Sequence, residues 1–162
     1  MTNLEHLETD EHWMSMALAQ AELAEREGDV PVGCVIVHRD LGAVAKACNR
    51  REKDSDPTAH AEVLALREAA RQLGRWRLND CTLFVTLEPC FMCAGALVNA
   101  RIGRVVYAAV DPKTGACQSL ASVLNDPRLN HRCEVKAGVF EEKAKLQLQS
   151  FFRARRRGRV HE

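Results

Sequence analysis

The 162-residue sequence has no apolar run approaching the roughly 18 residues that a bilayer-spanning helix requires, which excludes that class of membrane protein. Its N-terminus, MTNLEHLETDEHW, lacks the basic stretch and apolar core of a secretory signal, so a cytoplasmic location is expected. Internal repeats, long linkers and low-complexity tracts are absent apart from an arginine-rich end, and one domain spanning 1–162 is expected. Net charge is also lacking: the formal value of +1 excludes a strong basic field over the whole molecule. Cysteine is not scarce, but seven is an odd count, and without a secretion signal it argues against a disulfide framework.

What is present is unevenly placed. Residues 143–162 hold seven lysines and arginines against Glu162, a net +6, so the first 142 residues carry −5. A basic end of about 153–162 on a mildly acidic body points to a polyanion meeting one edge. The segment from His12 to Glu27 has helical spacing, with Trp13, Met16, Ala17, Ala21 and Ala24 on one face, and Gly28-Asp29 ends it. VPVGCVIVH and AVAKAC read as a hairpin across Asp40-Leu41-Gly42, and NRREKDSDP as a loop.

Further along, DPTAHAEVLALREAARQLG reads as a helix capped by Asp56 or Thr58, with Pro57 in its first turn and Gly74 at its end. Val63, Leu66, Ala70 and Leu73 form its apolar stripe. CTLFVTL, RVVYAAV and CEVKAGVF read as strands, CFMCAGALVNA and SLASVLND as short helices, and EEKAKLQLQSFFRARRR as a closing helix. Continuous apolar strands alternating with helices give a three-layer α/β/α domain around a mixed sheet.

The chemistry is concentrated in two short stretches. Cys90 and Cys93, behind Pro89, have the spacing at which two sulfurs on one helix face share an ion. The positive end of that helix favours both as thiolates. Upstream, His60 in HAE offers a nitrogen, and a Cys₂His set leaves a fourth tetrahedral position open, as in catalytic zinc sites. The site should lie where two helix N-termini meet. Glu62 is then free to move a proton between activated water, substrate and leaving group. HxE, 27 intervening residues and PCxxC form a specific order, unlike a lone CxxC, which redox and structural zinc sites share. A closed structural site would need a fourth ligand, for which His131 and Cys117 are the candidates.

HxE followed by PCxxC resembles the signature of the zinc-dependent nucleobase deaminases. VPVGCVIV, DPTAHAEVLALR, TLFVTLEPCFMCAGALVNARIGRVVY, DPKTGA and FFRARRR extend the resemblance, in order, to the bacterial tRNA-specific adenosine deaminase family over nearly the whole chain. The resemblance implies a cytidine deaminase-like fold with a five-stranded mixed sheet, a homodimer, and one zinc per subunit held by His60, Cys90 and Cys93. It implies conversion of the wobble adenosine of a tRNA anticodon to inosine with release of ammonia, and Glu62 as the proton shuttle. It also implies that Asn49 contacts the target nucleoside and that the Ala61 N–H faces the base. Cys48 and Arg51 depart from the family, standing where an aromatic residue and a proline are common.

Other residues carry open readings. Asn49 alone could be a strand-end turn residue, and Asp111 could be ordinary Asp-Pro turn chemistry or a substrate-side group. Arg153 and Arg156 are the candidate phosphate contacts of the basic end. At least one of Phe151 and Phe152 should pack in the core, and Trp13 and Trp76 should be core or dimer-contact residues. Cys34 and Cys81 are expected to be small buried hydrophobes. His6, His12, His38 and His161 have no assigned role. The tRNA deaminase reading has two rivals: a deaminase of free cytidine, deoxycytidylate or guanine, and a zinc-stabilised RNA-binding module without turnover.

Overall fold

Alternating side chains of the three central strands of a five-stranded sheet divide the interior into two apolar clusters, one on each face. The computed structural model describes residues 9–159; His6, His161 and the last residues of the basic end lie outside them. The strands are β1 (Gly33–His38), β2 (Gly42–Cys48), β3 (Cys81–Leu87), β4 (Arg104–Ala109) and β5 (Glu134–Ala137), in the order β2-β1-β3-β4-β5. β1 pairs antiparallel with β2 and β3, whereas β3, β4 and β5 run parallel, so the sheet is mixed.

Cys34, Ile36, Leu83, Val85, Val105 and Tyr107 face one cluster, with helices α3 (Ala61–Leu73) and α4 (Phe91–Asn99). Val35, Phe84, Val106 and Ala108 face the other, with α1 (Asp10–Arg26) and α5 (Glu141–Arg159). This period-two partition is why the strands read as continuous apolar runs: both faces are covered. A three-layer α/β/α architecture results. α1 lies so close to β1 that a Cβ on Gly33 would stand 1.9 Å from the Ala17 carbonyl oxygen. Only glycine fits there.

Several local expectations are corrected. The core face of α1 is Met14, Ala17, Ala21 and Ala24, with Trp13 and Met16 at its flank. NRREKDSDP is not all loop, because Arg51–Asp54 form a one-turn helix, α2, whose Glu52 N–H donates to the Asp29 carboxylate 3.0 Å away. α3 is capped by neither Asp56 nor Thr58: Asp56 accepts from the Thr58 N–H and hydroxyl in a turn of its own, and the helix starts at Ala61 with His60 as N-cap. Its buried face is Ala61, Glu62, Ala65, Leu66 and Ala69 rather than the Val63 stripe, and Gly74 ends it. SLASVLND shrinks to a 3-10 turn at Val123–Asn125, because the Leu120 and Val123 N–H groups bond back to Gly115 and Ala116. Trp76, 57% exposed under the guanidinium of Arg77, is outside the core. Phe151 is buried and Phe152 exposed, and Cys34 and Cys81 are buried as expected.

Candidate active site

The carboxyl ends of β2, β3 and β4 lead into Asn49, Cys90 and Asp111, so the sheet delivers three stretches to one edge. That is the usual place for a ligand in an open α/β sheet. His60 and Cys90 occupy the N-cap positions of α3 and α4, so two helix N-termini do meet there. Pro89 lies one residue ahead of the Cys90 cap, outside the helix. Nδ1 of His60 is 3.6 Å from Cys90 Sγ and 3.4 Å from Cys93 Sγ, and the three donor atoms lie within 4.8 Å of one another.

The donor set fits zinc. Bond lengths of about 2.0–2.3 Å put a nitrogen and a sulfur about 3.5 Å apart around a tetrahedral ion. Neither candidate for a fourth protein ligand joins them. Nε2 of His131 is 2.6 Å from the Ile102 carbonyl oxygen, and the Cys117 thiol donates to the Pro89 carbonyl. Three protein ligands with an open position describe a catalytic site rather than a closed one.

Electrostatics match that geometry. Hydrogen bonds from Cys93 and His60 hold the Cys90 thiol well below the ordinary cysteine range, and the partner Cys93 is raised by its bond to Cys90 and by burial. The hydrogen bond to Cys90 raises His60. Ligation takes both sulfurs as thiolates and the imidazole neutral, so metal binding expels these protons. Glu62, fully buried one residue past Ala61, is pushed up by desolvation, countered in part by Cys93 and His60.

A cleft of about 1160 Å³ opens above this cluster. Asn49, Arg51, His60, Glu62 and Cys90 line its floor, Asp111–Thr114 one wall, and α5 another through Phe152, Arg153, Arg155 and Arg156. Arg155 is drawn toward α2 by Glu52 at 3.6 Å, and among the described residues Arg153 and Arg156 pair with no carboxylate. Asn49 Oδ1 accepts the Ala61 N–H at 2.9 Å, so the N–H expected to face a base is already engaged. Asp111 folds its carboxylate onto its own turn, accepting from the Lys113 and Thr114 N–H groups and the Thr114 hydroxyl. Arg51, where the family pattern favours proline, is the first residue of α2, a position that suits proline as well. Cys48 is buried at the end of β2.

One residue escaped the sequence reading. Glu88, given no role there, is fully buried and accepts five hydrogen bonds. Oε1 takes the Asp111 N–H and the Ser119 hydroxyl, and Oε2 the N–H groups of Cys117, Gln118 and Ser119, at 2.6–3.1 Å. Burial acts to raise its carboxyl, but these donors outweigh it and hold it below its ordinary value. The only signal in the sequence was a charged residue ending an apolar strand.

Residues 7–109 match the model of the cytidine and deoxycytidylate deaminase zinc-binding region. A tRNA-specific adenosine deaminase of Bacillus subtilis (strain 168) is 46% identical over 148 residues, 91% of each chain. Its counterpart in Haemophilus influenzae is 45% identical over 149 residues, covering 92% of this chain and 86% of that one. A solved structure from studies of A-to-I editing by tRNA:A34 deaminases superposes with a TM-score of 0.81 at 41% identity, covering 85% of this chain and 99% of that one. This chain therefore belongs to the zinc-dependent deaminase family, within it to the tRNA-specific adenosine deaminases.

Proposed function

We propose that this protein is a zinc-dependent deaminase that converts the wobble adenosine of a tRNA anticodon to inosine, releasing ammonia. The observation that carries the reading is the three-donor cluster with a buried, unligated Glu62 beside it, on the floor of a cleft walled by arginines. The relatives' activity on tRNA supplies the substrate class.

Zinc held by His60, Cys90 and Cys93, one per subunit, supplies a Lewis acid that brings the pKa of water to about 7. The rest falls to the chain's own groups. Water adds at C6 of adenine while Glu62 takes its proton and passes it to N1. Glu62 then takes the proton of the new C6 hydroxyl and delivers it to the amine as the C6–N bond breaks, leaving the C6 carbonyl of inosine and ammonia. Burial that raises the Glu62 carboxyl above its ordinary value suits a group that must both accept and donate. Asn49 holds the base from the cleft floor, its side chain fixed by the Ala61 N–H. Asp111 meets the nucleotide from the loop, and Arg153 and Arg156 meet phosphates of the anticodon stem-loop. The base must be everted to enter, at an unstacking cost of about a few kcal/mol that is least in a single-stranded loop.

The whole chain, 1–162, acts as one deaminase domain in the cytoplasm; among the described residues no helix is long and apolar enough to cross a membrane. It works as a homodimer, a reading supported by Phe91 and Met92, exposed on the first turn of α4 beside the site. The test is to incubate zinc-loaded protein with an anticodon stem-loop bearing adenosine at the wobble position, beside free adenosine, cytidine and guanine, and to read products by mass. Inosine in the stem-loop alone is expected. Turnover of a free base or nucleoside alone would overturn the substrate class, and no turnover with zinc bound would overturn the enzymatic reading.

A further inference from the structure

The loop from Asp111 to Ser119 forms one wall of the cleft; its first turn closes on Asp111, and the rest is anchored from outside. Its backbone N–H groups at Asp111, Cys117, Gln118 and Ser119 all turn toward one point, the Glu88 carboxylate. The Ser119 hydroxyl adds a fifth donor, at 2.6 Å. Two carboxylate oxygens offer about four lone-pair sites, so Glu88 is saturated. The same short stretch binds the loop twice more, through the Ala116 N–H on the Pro89 carbonyl and a bridge between Gly115 and Cys90. Tyr107 closes the arrangement with a hydrogen bond from its hydroxyl to Gln118.

The fit is close as well as polar. A Cβ on Gly115 would stand 2.3 Å from the Glu88 carboxyl carbon and 2.4 and 2.5 Å from its oxygens. A carboxylate held by five donors can make room for a Cβ at 115 only by leaving some of them. Glu88 lies two residues before the zinc donor Cys90, and Asp111–Thr114 line the cleft. One side chain therefore registers the substrate wall against the metal site.

We infer that Glu88 is a positioning residue for substrate: by gathering the N–H groups of the 111–119 loop it sets where Asp111–Thr114 stand relative to the zinc donors. This effect on substrate is separable from the stability Glu88 also contributes. The strands around Glu88 are held by their own ladder, in which β3 and β4 pair through Thr82–Leu87 and Arg104–Ala109. What Glu88 supplies is the largest set of hydrogen bonds that order the loop, five against the few from Pro89, Cys90 and Tyr107. The inference rests on the tRNA deaminase reading, because it names the anticodon nucleotides as what the wall contacts.

The test uses zinc-loaded, full-length Glu88→Gln, Gly115→Ala and Ser119→Ala beside wild type. Glutamine keeps the size but turns an NH₂ group toward N–H donors, Gly115→Ala displaces the carboxylate from the loop side, and Ser119→Ala removes a single donor. Three readouts are taken: zinc per chain, hydrogen exchange at the Asp111, Cys117, Gln118 and Ser119 amides, and kcat and KM on the wobble-adenosine stem-loop. In Glu88→Gln and Gly115→Ala those four amides exchange faster, zinc stays at one per chain, KM rises about tenfold or more, and kcat stays within about threefold. Ser119→Ala shows the same pattern more weakly. Should Glu88→Gln fail to fold, the other two decide. Unchanged KM with a merely lowered melting temperature would overturn the inference, as would a KM change without loosening of the loop. Failure of wild type to process the stem-loop would instead overturn the substrate reading, and the inference with it.

Discussion

Two glutamates lie equally deep in this protein, Glu62 at 3% exposure and Glu88 at 2%, and their surroundings are opposites. Glu88 is met by five donors, which hold its carboxyl below its ordinary value. Glu62 has the zinc donors for neighbours and the cleft in front of it, and burial pushes its carboxyl up. A buried charge is costly unless it is paired, so each carboxylate reveals its task by how it is compensated. The saturated one has nothing left to give and can only hold its surroundings. The under-compensated one keeps capacity for a proton, which is what a reacting group needs. Their separation by 26 positions, one on α3 and the other just past the end of β3, lets one region react while the other keeps still.

The strongest way to break the comparison is to remove the cation that Glu62 serves. His60→Ala should weaken zinc binding by more than the roughly 10–100-fold that outer-shell changes cost, and turnover should vanish with the metal. Competition with a chromophoric chelator measures the first, and stem-loop turnover the second. Retention of both would mean that the cluster is not the metal centre.

Glu88→Gln probes the other side. Disrupting a buried carboxylate's hydrogen bonds should lower the unfolding free energy by about 3 kcal/mol, read from urea denaturation of the zinc-loaded protein. The folded-state pKa of Glu88 is depressed, so its contribution is present above the ordinary carboxylate range and is lost as pH falls through the folded value. The variant should therefore show a flatter acid limb of stability against pH. Parallel profiles for variant and wild type would contradict the assignment.

How much of this was legible in the sequence follows the range of the interactions. HxE and PCxxC were legible because His60, Cys90 and Cys93 sit at helix starts, where local spacing governs geometry. The strands were legible because two covered faces demand apolar runs. Glu88 was not, because its partners lie 23–31 residues away and leave no local trace. α2 was missed for the same reason: four polar residues show no periodicity, and the group that caps them, Asp29, is 23 residues upstream. The start of α3 was misplaced because Asp56 has a cap-forming side chain but uses it on its own turn with Thr58.

Effects at the rim should be milder. Arg153→Ala with Arg156→Ala should weaken stem-loop binding and reduce the slope of log affinity against log salt by roughly 1.5, since each lost phosphate contact retains its counterion. An unchanged slope would remove these arginines from the interface. The smallest effect is expected at a third carboxylate, Asp10. Its side chain is 17% exposed, and the Arg104 bond holds its carboxyl at about 2 against burial. Asp10→Asn should cost about 1 kcal/mol at neutral pH and nothing once the pH is below the depressed value. A stability difference that persists in strong acid would show that the effect is packing and not charge.

The account stands or falls on Glu62 as the proton carrier beside a metal it does not bind. The most direct measurement takes zinc content, urea midpoint and inosine formation from the same preparations of wild type and Glu62→Gln. The account predicts one zinc per chain in both, an unfolding midpoint in the variant equal to or above that of wild type, and turnover lower by about 10²–10⁴-fold. Zinc-loaded Glu62→Gln forming inosine at the wild-type rate would contradict it.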